Sequence, residues 1–418
     1  MKIVTLKPEQ FDKFAKNHRY RNYFQTSNYG SLMTKFGYNI HYLGIVSDTN
    51  KLIGATLLLY KQVFMSNKIA YAPRGFLLNY ENIENLEDII KKIKQVLGKQ
   101  GFMLLRIDPY IPLTIRDSNG TIMNFNNQGN TIIENLKSVG FEYKGKINDF
   151  SSEKPRWESL IILNNKPEEL FSRFDKRTRN KIRRATNFGI DAEKDEKKDV
   201  EKLYEYIKKN NKKPKSYYKA LVEKFGDNAE IYYAKINTEL YTVNSRRAYE
   251  SEIENNNSLS NLIQDVSIDA KQKEIILNKK MESDKLLDTY KHALVQATNL
   301  LKEYPDGIII GGALVIKYDN AAFLIEEGID PKYRSNNPEY VIKWKMIEDY
   351  TKENLKYINL NGVIGEFEKQ IENSSLNEKK LGFNSTITEY IGEFDIILNN
   401  FSYNLYKSFS KNKQKKSD

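Results

Sequence analysis

Leu52-Ile-Gly-Ala-Thr-Leu-Leu-Leu-Tyr60 returns, with other residues in the same roles, as Ile308-Ile-Ile-Gly-Gly-Ala-Leu-Val-Ile-Lys-Tyr318. The first copy runs on to Tyr71-Ala-Pro-Arg-Gly75, a helix-like stretch from Leu86 to Leu97, and an apolar strand ending at Ile107-Asp108-Pro109-Tyr110. The second runs on to Leu324-Ile-Glu-Glu-Gly328, a helix-like stretch from Pro338 to Glu353, and a strand ending at Asn359-Leu360-Asn361-Gly362. Order, spacing and punctuation agree where residue identity does not. The reading is two copies of one α/β unit with mixed sheets, and a cleft between copies is a common place for a ligand.

Working outward, the spacing predicts strands at Tyr38 to Ile45, Leu52 to Phe64 and Ile69 to Ala72. The stretch from Asp117-Ser118-Asn119-Gly120 to Asn130 reads as a loop, and Thr131 to Val139 as a short helix stopped at Gly140. Trp157 to Leu163 and Ile231 to Ile236 read as strands, and Ser385 to Ile391 as the last one. The expected divisions are 1–147 for the first unit, 148–237 with 304–403 for the second, 238–303 for an insertion, and 404–418 for a frayed basic tail. The insertion has no Gly or Pro, and Leu287, Tyr290, Leu294, Ala297 and Leu301 step by three and four. That is a heptad seam, best used by two arms folded back as an antiparallel coiled coil.

At 418 residues the chain is too long for one ordinary core. It has no cysteine, which excludes disulfides, thiolate nucleophiles and Cys-based zinc sites. Three scattered histidines (His18, His41, His292) argue against a metal cluster. No apolar run approaches the roughly 20 residues of a membrane helix, and there is no signal-peptide core, so a cytoplasmic place is expected. A net charge of +11 favours polyanions. The charge concentrates in residues 173–184, where Arg173, Lys176, Arg177, Arg179, Lys181, Arg183 and Arg184 stand with only Asp175 acidic. At helical spacing they cover more than one face, which fits an RNA backbone better than simple amphipathic packing.

Several short motifs resemble the Fem family of non-ribosomal peptidyltransferases. They are Pro73-Arg74-Gly75, Ile107-Asp108-Pro109-Tyr110-Ile111-Pro112, Gly328 through Tyr333-Arg334, and Tyr340-Val-Ile-Lys-Trp-Lys-Met346. Asn361-Gly362-Val363, Lys380-Leu-Gly-Phe383 and Glu389-Tyr390-Ile-Gly392 complete the set. Phe76 departs from the Pro the family tends to carry after Arg-Gly. The resemblance implies two tandem acyltransferase-like (GNAT-like) domains, the second carrying the coiled-coil insertion. It implies transfer of an amino acid, commonly glycine, alanine or serine, from aminoacyl-tRNA to a stem-peptide amine of a peptidoglycan precursor, lipid-linked or nucleotide-linked. It implies no cofactor beyond that co-substrate and no metal, and it suggests association with the inner face of the membrane, related transferases or a second copy. Carried over from the family's Lys-x-Gly-Phe/Tyr motif, Lys380 stabilises the oxyanion or positions phosphate; the chemistry of the other residues suggests their roles. Arg74 grips a diphosphate. Asp108 takes the amine proton. Tyr110, Tyr333, Arg334 and Phe383 line the substrate groove, and residues 173–184 contact the tRNA. Two other readings compete: an acetyl-CoA-dependent N-acetyltransferase, whose glycine-rich pyrophosphate loop has no match in Arg334-Ser335-Asn336-Asn337-Pro338, and a non-catalytic RNA-binding scaffold.

Overall fold

The computed structural model describes residues 1–64, 66–210, 213–265, 267–367 and 374–414. Residues 415–418 of the expected tail lie outside them, and residues 404–414 belong to a helix, Asn400–Gln414.

Two mixed sheets form the frame. The first runs edge to edge through Lys2–Thr5, Asn39–Val46, Leu52–Phe64, Asn67–Ala72, Phe102–Ile107, Phe394–Ile397 and Glu142–Tyr143. The second runs through Ile190–Lys194, Ala229–Ile236, Ile308–Tyr318, Ala321–Ile329, Tyr357–Gly362, Trp157–Ile162, Thr386–Tyr390, Pro112–Arg116 and Ile122–Phe125. The duplication shows in each. A long antiparallel hairpin feeds a helix, and the helix returns a parallel strand: Asn67–Ala72 with Phe102–Ile107, and Ala321–Ile329 with Tyr357–Gly362. The returning helices bury apolar stripes on their sheets: Leu86, Ile89, Ile90, Ile93 and Leu97 in one, Val341, Ile342, Met346 and Ile347 in the other. Each such side chain contributes roughly 1.5–3 kcal/mol by leaving water.

The sheets exchange strands, so a division at residue 147 does not separate them. Pro112–Arg116 and Ile122–Phe125, the latter inside the stretch read from sequence as loop, form a hairpin on the edge of the second sheet. Ile122 and Phe125 are exposed there, so the alternation that would have marked the second strand is missing. Phe394–Ile397 follows the strand read as the last one and pairs with Phe102–Ile107 in the first sheet. The two crossovers run side by side. Ile391 donates its amide to Ile111 at 3.0 Å, and Tyr110 stacks on Tyr390 with centroids 4.4 Å apart. A shared apolar core joins the units, with Tyr23 of the first against Phe225 and Phe323 of the second at 6.0 and 5.0 Å.

The insertion is a pair of helices, Thr238–Gln264 and Ala270–Glu303, lying against each other. It enters between Ala229–Ile236 and Ile308–Tyr318, whose ends pair as Ile236 with Ile308, so the sheet is unbroken. Ala297 is buried on the expected seam and Leu287, Tyr290, Leu294 and Leu301 are half-buried. Polar contacts pin the register: Asn256 donates to Ser283 at 3.0 Å and Thr242 to the Ala297 carbonyl at 3.1 Å.

Candidate active site

The two parallel pairs differ in how long they stay together. In the first sheet pairing runs from Lys68–Phe102 to Ala72–Ile107. In the second it stops after Phe323–Asn359, while one strand continues to Ile329 and the other to Gly362. Ile325 is an extra residue in the pairing with Ile308–Tyr318, a bulge that bends the strand away from its parallel neighbour. Past Phe323, amides on the parting side therefore have no strand partner. The gap is a cavity of about 350 Å³ walled by Leu324, Glu326, Gly328, Glu339, Lys379 and Lys380. Amides without a strand partner beside a cation are a setting for a developing oxyanion.

Lys380 is 8% exposed and donates to the Gly362 carbonyl at 2.7 Å. Burial pushes its ammonium down to about 8; nearby Glu327 opposes the fall and Lys343 adds to it. The Lys-Leu-Gly-Phe run explains how the lysine is held. Phe383 is 1% exposed and packs on Phe174 and Tyr340 at 5.2 and 5.8 Å. At Gly382 a Cβ would meet Thr178 Oγ1 at 2.2 Å, so only glycine lets the start of helix Lys176–Asn187 come this close. The Asp175 amide then donates to the Gly382 carbonyl at 2.9 Å. Two residues of the motif thus anchor the third. Lys343, fully buried, pairs with Glu327 and donates to the Glu339 carbonyl at 3.4 Å. Glu339 pairs with Lys379 at 3.0 Å.

A second cavity of about 260 Å³ opens between the units and shares Leu324, Ile325, Glu326 and Asn361 with the first. Asn22, Tyr23 and Phe24 line it from the first unit, and Lys154, Glu158 and Lys213 from the connection and the second unit. Lys154 sits 4.1 Å over the Phe24 ring, and burial lowers it to about 8 despite Asp108 nearby. The residues reaching this junction that sequence reasoning missed are Lys154, Glu158, Lys213, Glu326, Glu327, Glu339 and Lys343. Glu326 and Glu327 lay inside the quoted repeat Leu324 to Gly328 and Lys343 inside a quoted motif, but no sequence signal marked them as site residues.

The basic segment is split. Arg173 ends a short helix, Pro167–Arg173, and the others lie on Lys176–Asn187, capped by Asp175. That helix buries only Thr178, Ile182 and Ala185, one narrow stripe. Lys176, Arg177, Arg183 and Arg184 are exposed, while Arg179 and Lys181 are half-buried. Lys181 donates to the Tyr340 hydroxyl at 2.8 Å and lies 3.7 Å from Glu378, beside the lysine-bearing helix Ser374–Leu381. The basic face therefore borders the opened strand pair.

Other expected site residues lie elsewhere. Arg74 is 2% exposed and turned inward: Nη2 reaches Glu158 at 2.6 Å and the Pro155 carbonyl at 2.7 Å, and Nη1 lies 3.7 Å from Asp108. Tyr110 and Tyr390 lie on the guanidinium at 5.4 and 5.0 Å. Such a group has no fork left for a diphosphate. Asp108, 1% exposed, accepts from the Arg74 amide at 2.6 Å and the Tyr71 hydroxyl at 3.0 Å. Burial lifts its carboxyl to about 7 against the pull of Arg74. Its contacts face the interior, where it clamps the turn that carries Arg74. Tyr110 donates to Glu158 at 3.3 Å and borders a separate cavity between the units. Tyr333 is 1% exposed in the second core, Phe383 packs in that same core, and Arg334 is exposed on a surface turn.

The chain's relatives agree with this architecture. Residues 6–411 match the FemAB family. Aminoacyltransferase FemA of Staphylococcus epidermidis is 23% identical over 425 residues, covering 99% of this chain and all of the relative. FemA of Staphylococcus aureus (strain N315) is likewise 23% identical over 425 residues, with the same coverage. A crystal structure of FemX superimposes with a TM-score of 0.73 at 20% identity, over 97% of this chain and 99% of that one, and so shares the fold. The chain belongs to the FemAB family, and it is an acyltransferase.

Proposed function

We propose that this enzyme moves an aminoacyl group, glycine, alanine or serine, from the 3′ ester of aminoacyl-tRNA to a stem-peptide amine of a peptidoglycan precursor. One observation carries the reading: the opened strand pair, with Lys380 buried in its wall, meets the inter-unit cavity at Glu326 and has a basic helix at its rim. An ester entering from the basic face and an amine entering between the units would meet at that junction.

The amine nitrogen attacks the ester carbonyl carbon, forming the C–N bond and an oxyanion. The C–O bond then breaks, the ribose oxygen leaves with a proton, and the amine loses one. Lys380 is a cation at neutral pH, close enough to losing its proton to stabilise the oxyanion and to protonate the leaving oxygen. Glu326 lines the amine side and would take its proton, while Glu158 beside it is held by Arg74. Holding both substrates in register supplies the rest of the acceleration. Lys154 and Lys213, in place of Arg74, would meet the precursor's diphosphate. A lipid-linked precursor would bring the chain to a membrane surface; no helix among the described residues is long and apolar enough to cross one.

The test is reconstitution. Purified chain is mixed with lipid II, or with the nucleotide-linked precursor, and with tRNA charged in turn with glycine, alanine and serine. The precursor should gain the mass of one or more of these residues. No mass gain with any pair would reject the proposal, and thermal stabilisation by acetyl-CoA would favour the N-acetyltransferase reading.

A further inference from the structure

Glu339 stands out among the ionised groups of the opened strand pair. It is 5% exposed, lines the cavity, and gives Oε1 to Lys379 at 3.0 Å. Oε2 is buried and has no hydrogen-bond partner among the described residues. An unsatisfied carboxylate oxygen in such a place is costly, and most buried polar atoms avoid that state. Nothing in the local fold requires the arrangement. Glu339 sits in the first turn of helix Pro338–Lys352, where a carboxylate is stabilised by the helix dipole without further help. The Asn337 side chain makes no capping bond there, so the position is not part of a cap. The lysines lining the cavity are committed, Lys380 to the Gly362 carbonyl and Lys379 to the other Glu339 oxygen, and Lys343 behind them pairs with Glu327.

What the oxygen lacks is a donor carrying positive charge, and the side chain that carries it lines the cavity given above to the acyl donor. We propose that Glu339 binds the α-ammonium of the aminoacyl group, so that the cavity selects esters of free amino acids over esters whose amine is already acylated. The inference rests on the proposed function. Its physical basis is that a charged donor satisfies a buried carboxylate oxygen, whereas an amide N–H offers less charge and brings an acyl group into a confined wedge. The same contact holds the α-carbon at the helix start and turns the ester carbonyl towards the bare amides and Lys380. Glu339 is thus a binding and positioning residue, separate from the groups that move protons.

The experiment measures kcat/KM for one charged tRNA and for the same tRNA with its aminoacyl amine acetylated, using the full chain. The wild-type enzyme should favour the free amine by about 10- to 100-fold, the range of a hydrogen bond to a charged group. Glu339→Gln keeps the shape and removes the charge. It should lower kcat/KM for the free-amine donor by a similar factor and leave the acetylated donor unaffected, bringing the ratio near one. Lys379→Met removes the neighbouring cation and keeps Glu339, and should preserve the discrimination. A wild-type ratio in Glu339→Gln, or equal losses on both donors, would overturn the inference while leaving the transfer reaction standing. No transfer by the wild-type chain from either donor would remove the proposed function and this inference together.

Discussion

Replacing Lys380 by Met should stabilise the fold and stop the reaction, two effects of opposite sign from one side chain. The fall of the ammonium from 10.5 to about 8 means that the folded state holds the charge against a cost of about 3 kcal/mol at neutral pH. Met fills similar space without charge. It forfeits the hydrogen bond to the Gly362 carbonyl, which offsets about 1 kcal/mol. The net gain is about 2 kcal/mol. With an unfolding entropy of about 2.1 cal/mol/K per residue over 418 residues, that raises Tm by about 2 °C. The sign reverses the usual lysine case. Below pH 8 folded and unfolded chains both carry the proton, so the full cost is present. Between pH 8 and 10.5 the folded lysine has released its proton and the unfolded one has not, so wild-type stability rises with pH through that window. The advantage of Lys380→Met should therefore be largest at pH 7 and shrink towards pH 10. Thermal unfolding of both proteins at pH 7, 8.5 and 10, with transfer rates at pH 7, measures this. A Tm several degrees below wild type with transfer intact would show that Lys380 is structural and refute the reasoning.

Arg74→Ala strips Glu158 and Asp108 of a shared buried cation, which should cost about 3–5 kcal/mol and lower Tm by about 3–6 °C. An unchanged Tm with a raised KM for the precursor would return Arg74 to substrate binding. Gly382→Ala forces a methyl onto Thr178 and Asp175 and should cost about 1–3 kcal/mol while displacing Lys380, read as lower kcat at unchanged tRNA affinity. Charge reversal at Arg177 and Arg183, both exposed, should weaken tRNA binding and flatten its salt dependence by roughly one counterion per lost phosphate contact. An unchanged slope would place the RNA on another surface.

Much of the architecture was legible in the chain. Strand Leu52–Phe64 starts and stops where its apolar run does, and helix Pro338–Lys352 begins at the Pro that presets its first turn. The inserted helices were readable because a long stretch lacks Gly and Pro and carries a seam. These are local signals, set by period and by backbone freedom. The lysine of Lys380-Leu-Gly-Phe383 was found by resemblance, and its neighbours show why the glycine and the aromatic accompany it.

Sequence by itself determined that a unit is repeated, where its helices and main strands fall, and which helix carries the positive charge. Tertiary structure alone decided which copy opens. Both copies encode a parallel strand pair, but only the second parts after Phe323, because a bulge at Ile325 turns one strand away. The exchange of edge strands between sheets was likewise invisible, since pairing partners lie hundreds of residues apart. So was the fate of the charged side chains. Arg74 and Lys380 look alike as letters before or within a turn. One is turned inward onto two carboxylates and the other into a cavity, because burial and neighbours are properties of the assembled fold and not of the segment.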